Sequence, residues 1–232
     1  MLHLGYDMSD RGPGASGDRA LTDYPRPSVA VDTAVLTYRP AVGLLVLQVR
    51  RDPGPGWALP GTFLRERETL DHAVRRSLRE KADVRGVGPR QLHVFDRPGR
   101  DDRGWVLSVG HVAVVPVELL AGRFPDTTRL MPAAAPGRLA FDHQDIIGLA
   151  LEDLRSRYRD RPDPDRLLGE VFTLRQLRQV HEAVAGAPIT ADKLDTFRRR
   201  MQQKLVRVPA GPVRTDGRGR PAQLFGRHEA QA

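Results

Sequence analysis

Apolar positions along this chain change their spacing several times, and each change marks an element. Residues 28–38, SVAVDTAVLTY, and 44–50, LLVLQVR, are rich in apolar and β-branched residues and predict two strands, joined by a turn holding Pro40 and Gly43. A Gly/Pro-rich loop, DPGPGWALPGT, follows. The spacing then becomes helical: Leu70, Ala73, Val74, Leu78 and Ala82 share one face, and Thr69 is placed to cap its start. Further strands are expected at 91–96 and at 105–117, which is dense in valine, while 124–138 reads as a loop. Ile146, Ile147, Ala150, Leu151, Leu154 and Tyr158 form the stripe of a helix over about 143–160, with Asp142 at its start. The stretch DRPDPDR then breaks the chain and reads as a linker.

Beyond it the helical signals are sharper. Thr173 and Gln176 fit a capping box, Leu174, Leu177, Val180 and Val184 form a buried stripe, and Gly186 stands where a left-handed residue ends a helix. Pro188 stops continuation, and Thr190 is the expected N-cap of a second helix carrying Leu194, Phe197, Met201 and Leu205 inward. Two short helices joined so tightly make a helix-turn-helix. LVRV and PAQLF can pair as a ribbon, and the loop between them carries Arg214, Arg218 and Arg220 among glycines, which let a backbone approach closely. This is the pattern of a winged helix.

Charge sharpens that reading. The 232-residue chain has a net charge of +8, and all of it lies in residues 171–228, which hold twelve Lys or Arg against four Asp or Glu. An excess confined to one module is the electrostatic footprint of a phosphate-binding surface. On the second helix, Thr196, Arg199 and Gln203 lie opposite the apolar stripe with Lys193 and Arg200 beside them; Arg198 falls nearer the buried edge, which suits a phosphate or intradomain contact. Arg and Gln can read base edges in a major groove. Thr190, Lys193, Thr196, Arg198, Arg199, Arg200, Gln203 and the three wing arginines are therefore the expected DNA-binding set. There is no cysteine, no apolar run near the roughly 20 residues a membrane span needs, and no signal-peptide core, so a cytoplasmic protein without membrane contact is expected.

Residues 59–84 resemble the Nudix box: Gly, five residues, Glu, seven residues, then Arg-Glu-apolar-any-Glu-Glu-any-Gly-apolar. Glu68, Arg76, Leu78, Glu80 and Val84 match, while Thr62, Ser77, Lys81 and Asp83 replace Gly, Glu, Glu and Gly. The resemblance implies that active members hold Mg²⁺ on a pyrophosphate with clustered helix carboxylates. Mg²⁺ wants anionic oxygen ligands. Ser77 and Lys81, one helical turn apart, remove two carboxylates and add a cation. No catalytic residue, metal site or required cofactor is therefore expected, although a nucleotide pocket can outlast the chemistry. Glu80 is free to pair with Arg76 at i, i+4, and Glu68 can be structural.

The box, then FDHQDII, FTLRQLRQVHEA, a helix with FRRR, and GRGRPAQLF, taken in order over roughly 28–228, are similar to the Nudix-related transcriptional regulators of NAD metabolism. That resemblance implies an α+β protein: a Nudix α/β/α sandwich followed by a winged helix-turn-helix. It implies a homodimeric repressor of NAD biosynthesis or salvage genes that reads a palindromic operator in double-stranded DNA and responds to ADP-ribose or a related nucleotide. The expected division is a flexible arm at 1–26, an effector-binding domain at 27–141, a connecting helix and linker at 142–165, and a DNA-binding domain at 166–228. Candidate effector contacts are Glu68, Arg76 and Glu80 from the box and Arg97, Arg100 and Arg103 from FDRPGRDDRGW, since guanidinium suits diphosphate. Trp57, able to stack on adenine or sit in the core, and His143, able to line the pocket or cap a helix, complete the set. Two other readings are a Nudix hydrolase with a basic nucleic-acid-binding appendage and a sugar-catabolism regulator of the same architecture.

Overall fold

The computed structural model describes residues 20–52, 54–208 and 222–228. Most of the expected N-terminal arm, and Arg214, Arg218 and Arg220 of the expected wing, lie outside the described residues.

A seven-stranded mixed sheet forms the first unit. Its strands are β1 (Ser28–Arg39), β2 (Gly43–Arg50), β3 (Trp57–Ala58), β4 (Gly61–Phe63), β5 (Arg90–Phe95), β6 (Val106–Val114) and β7 (Thr128–Pro132). The main path runs β3-β2-β1-β6-β5, with β4 on β1 and β7 on β2. β1 and β6 pair in parallel from Ser28↔Val106 to Leu36↔Val114. Helices cover both faces, which is why β1 reads as an almost unbroken apolar run. Val31 and Val35 pack with Ala73, Val74 and Leu78 of α1 (Leu70–Ala82), and Ala34, Leu36 and Tyr38 pack with Ile146, Ile147 and Leu154 of α2 (His143–Tyr158). This is the α/β/α sandwich that the resemblance implied.

Local rules account for α1. Thr69 accepts a hydrogen bond from the His72 amide at 3.2 Å, and Asp83, standing at the glycine position of the box, ends the helix with φ of +47°. Asp is among the few non-glycine residues that tolerate that conformation. At the start of α2 the local rule fails. Asp142 occupies the N-cap position but makes no capping bond, because its carboxylate is taken by Arg100.

The second unit is a three-stranded sheet, β8 (Val171–Thr173), β10 (Leu224–Arg227) and β9 (Leu205–Val208) in that order, against α3 (Leu174–Ala185) and α4 (Ala191–Gln202). The Thr173–Gln176 capping box is present, and Gly186 closes α3 with φ of +73°. Four strands depart from expectation: β3 forms and β4 begins within the stretch 52–62 read as a Gly/Pro-rich loop, where β2 and β1 offer them edges. β7 lies within the stretch 124–138 read as a loop, and β8 adds a third strand to the expected ribbon. Leu205, assigned to the α4 stripe, begins β9.

The units share a core: one apolar cluster runs from β1 and β2 through α2 into Leu177, Val180, Phe197, Met201 and Phe225. The segment read as a linker is tied down. The Asp163 side chain is fully buried and accepts hydrogen bonds from Tyr158 Oη (2.7 Å), the amides of Leu167 and Leu168 (2.9 and 3.0 Å) and Arg227 (2.8 Å). Nearby, Asp165 pairs with Arg157 at 2.7 Å and lies 3.7 Å from Arg90 of β5. Among the described residues no helix is long and apolar enough to cross a membrane.

Candidate functional site

The polar floor of the first unit starts from one residue. Asp32 is the single acid in the apolar run of β1, on the face that looks toward α2. Pairing of β1 with β4 sets it opposite Gly61, and a Cβ at Gly61 would stand 1.9 Å from Asp32 Oδ1 and 2.8 Å from the Val31 carbonyl. Only a glycine lets the strands close there. One Asp32 oxygen accepts from Ser108 Oγ at 2.5 Å on β6, and the other lies 3.3 Å from His143 Nε2. The Leu59 amide donates to His143 Nδ1 at 2.9 Å, so Nδ1 acts as acceptor and the ring proton sits on Nε2, toward Asp32. Arg100 grips Asp142 with two bonds, of 2.9 and 2.5 Å, and lies 3.8 Å from Asp32.

Above this floor opens a cavity of about 480 Å³, within the range of small-molecule sites. Its wall includes Arg50, Arg51, Phe63, Glu80, Lys81, Asp101, Arg103, Phe124 and Phe141. Arg51 and Arg103 lie 5.3 and 5.4 Å from the Phe141 ring centre, and Arg103 also lies 5.2 Å from Phe63. Phe141 itself has φ of +55°, a strained conformation for an aromatic residue, and such strain persists where the surroundings over-determine it. Bonding to Arg103 keeps Asp101 below the ordinary carboxylate range.

Of the eight residues expected to contact an effector, Glu80, Arg100, Arg103 and His143 line this cavity. Arg100 does so with its guanidinium committed to Asp142. Trp57 lies outside the lining, with the guanidinium of Arg129 over its ring at 4.2 Å and that of Arg50 at 5.9 Å. Arg97 is exposed in the loop after β5. Glu68 and Arg76 are locked together by two 2.8 Å bonds, and Arg76 also donates to Thr62 Oγ1 and the Phe63 carbonyl. That bonding to Arg76 pulls the Glu68 pKa down to about 2. Reasoning from sequence missed Asp32, Arg51, Phe63, Phe141 and Lys81 as lining residues. Asp32 did carry a signal, an acid inside an otherwise apolar strand.

The resemblance to Nudix proteins implies Mg²⁺, and the donor set does not fit it. Ser77, at a carboxylate position, is buried and does not line the cavity. Lys81, at another, points its ammonium into the cavity wall and donates to the Gly61 carbonyl. Glu68 is saturated by Arg76, and Glu80 lies 3.7 Å from both Arg76 and Arg79. Among the described residues no three His, Asp or Glu side chains converge as a metal site.

In the second unit, Thr190, Lys193, Thr196, Arg198, Arg199, Arg200 and Gln203 are all exposed along α4. Thr190 takes the N-cap position without capping the amides. Arg198 lies 3.5 Å from Asp195, and Arg199 Nε donates to the Asp195 carbonyl at 3.4 Å. Arg200 turns toward the joint, 3.7 Å from Asp160, where Lys204 also donates to the backbone. Behind α4, His181 Nε2 donates to the Pro162 carbonyl at 2.7 Å, and the ring packs edge-on with Tyr158 and Phe197.

Comparison with known proteins accords with both units. Residues 29–147 match the NUDIX domain, and residues 165–226 match the NrtR DNA-binding winged helix domain. The chain is 29% identical over 213 residues to an ADPR responsive transcriptional repressor from Acinetobacter baylyi, spanning 88% of this chain and 83% of that protein. It superposes on Shewanella oneidensis NrtR complexed with a 27mer DNA with a TM-score of 0.70 and 33% identity, covering 86% of this chain and 93% of the other. The NUDIX domain of the same Shewanella protein complexed with ADP ribose gives a TM-score of 0.51 and 30% identity, covering 59% and 94%. A Nudix sandwich, a winged helix in the same order and this extent of shared length place the chain in the NrtR family of Nudix-fused winged-helix regulators.

Proposed function

We propose that this chain is a sequence-specific DNA-binding repressor of NAD biosynthesis or salvage genes, which senses ADP-ribose or a related nucleotide through its Nudix domain and does not hydrolyse it. The observation that carries the reading is the cavity with its cationic and aromatic wall, built on the domain whose Shewanella counterpart was solved with ADP ribose. Arg51 and Arg103 beside Phe141 and Phe63 suit a diphosphate and a stacked ring. The DNA surface is α4: Thr196, Arg199 and Gln203 read base edges, while Lys193, Arg198 and the wing residues Arg214, Arg218 and Arg220 hold phosphate. The protein works in the cytoplasm as a homodimer on a pseudo-palindromic operator, with half-site centres roughly 10 base pairs apart.

Helix α2 links the two activities. Its first turn places His143 at the cavity, and its last residue, Tyr158, joins the Asp163 cluster and the winged helix. A helix of 16 residues is about 24 Å long. Nucleotide binding releases DNA only if the two arrangements of the winged helices bind it with different affinity.

The test is a titration of the full chain against the promoter of its adjacent NAD-biosynthesis or salvage operon, at stated salt, with and without ADP-ribose. Specific binding weakened by ADP-ribose is the expected result. Specific binding that ADP-ribose leaves unchanged removes the effector, and absence of specific binding removes the repressor. Release of AMP from ADP-ribose in the presence of Mg²⁺ would favour a hydrolase instead.

A further inference from the structure

We propose that the ammonium of Lys81 takes the place of the divalent cation in this pocket, so that the diphosphate of the nucleotide is bound without metal. The proposal rests on the nucleotide reading above and specifies how that pocket holds its anionic group.

The geometry comes from α1. Position 81 falls on the cavity wall, one turn beyond Ser77, which is turned into the core. The Lys81 ammonium is held to the Gly61 carbonyl, on the strand that closes against Asp32. An ammonium carries three donors, so two remain for other acceptors. Burial lowers the Lys81 pKa, and the neighbouring charge of Asp32 opposes that shift. A partly desolvated cation of this kind gains from an anion that supplies the missing oxygens.

Of the four carboxylates that line the pocket, three are engaged by other groups, which leaves the exposed Asp52 as the remaining acid. Glu80 lies against two arginines, Asp101 is bonded to Arg103, and Asp32 is bonded to Ser108 and faces His143 and Arg100. A divalent ion placed on the diphosphate beside Lys81 would meet like charge at close range. Arg51 and Arg103 flank Phe141 on the same wall and provide the further cations that metal-free diphosphate needs.

The test is calorimetric titration of the full chain with ADP-ribose and, separately, with inorganic pyrophosphate, each in EDTA and in Mg²⁺. ADP-ribose is expected to bind wild type equally well in the two buffers, and pyrophosphate is expected to bind in EDTA. Lys81→Met weakens both ligands about ten- to a hundredfold, the loss expected for one charge-assisted contact, whereas Lys81→Arg retains most of the affinity. Lys81→Glu binds poorly in EDTA and recovers with Mg²⁺. Wild-type binding that collapses in EDTA overturns the proposal without any variant, as does a folded Lys81→Met protein with wild-type affinity. Lys81-dependent binding of pyrophosphate without any binding of ADP-ribose would sustain the cation site and remove the nucleotide reading. Binding of neither ligand removes both.

Discussion

Arg227, on the last strand of the winged helix, donates a 2.8 Å hydrogen bond to the buried carboxylate of Asp163, in the segment between the two domains. That carboxylate also receives Tyr158 at the end of α2 and two backbone amides. Burial, together with the nearby Asp163 charge, pushes the Tyr158 pKa upward, so its hydroxyl stays protonated and donates. The joint is therefore a polar knot with its acceptor saturated, not a loose tether. Removing one partner of such a buried cluster strands the others, at a cost of about 3–5 kcal/mol. Asp163→Ala is expected to lose that much in urea unfolding monitored by circular dichroism. A loss under about 1 kcal/mol would place the cluster with ordinary surface pairs.

On the proposed DNA surface, the arginines of α4 differ in what they already touch. Arg199 contacts the backbone of its own helix, while Arg200 leans to Asp160 at the joint. Arg199→Ala is expected to weaken specific operator binding by about 1–3 kcal/mol and relax base preference, with Arg200→Ala smaller. Lys193→Ala should weaken all sequences alike and reduce the salt slope by about 1, as a phosphate contact would. Fluorescence anisotropy at several salt concentrations separates the two, and equal effects on every sequence from Arg199→Ala would remove its base-reading role.

The Glu68–Arg76 pair makes stability depend on acid. Bonding to Arg76 lowers the Glu68 pKa from its ordinary value of 4.5 to about 2. A carboxylate with a depressed folded-state pKa contributes stability that is fully present above its unfolded value and lost as pH falls through the folded one. Wild type is therefore expected to lose this contribution between about pH 4.5 and 2, and Glu68→Gln to fall less steeply over the same range. Urea midpoints at a series of pH values read this directly, and parallel curves would mean that the pair carries no linkage.

Gly61→Ala tests the floor of the cavity. Its new methyl group would meet Asp32 and the Val31 backbone well inside contact distance. Overpacking of this kind costs about 1–3 kcal/mol. A lowered melting temperature together with weakened ADP-ribose binding is the expected pair of results, and a variant with unchanged values of both would show that β4 moves away freely.

Much of this fold was written in short-range signals. Thr69, the Thr173–Gln176 box and Gly186 act on amides and carbonyls a few residues away, so the ends of α1 and α3 could be read from neighbouring letters alone. The substitutions at Ser77 and Lys81, the basic last quarter and the tight pair of helices before a ribbon were also present in the sequence. Partners brought together across the fold were not. Residues 128–132 become a strand because β2 offers them an edge, and β8 because β10 does. Asp142 looks like a helix cap until Arg100 arrives to take its carboxylate, and Asp163 looks like linker until Tyr158 and Arg227 close on it. The cavity floor depends on β1–β4 register and on the packing of α2, which carry Asp32, Gly61 and His143 to one point from three distant parts of the chain. Local propensity fixes what neighbours along the chain can satisfy. Buried charges find their partners only once tertiary packing has excluded water, and there the structure alone decided.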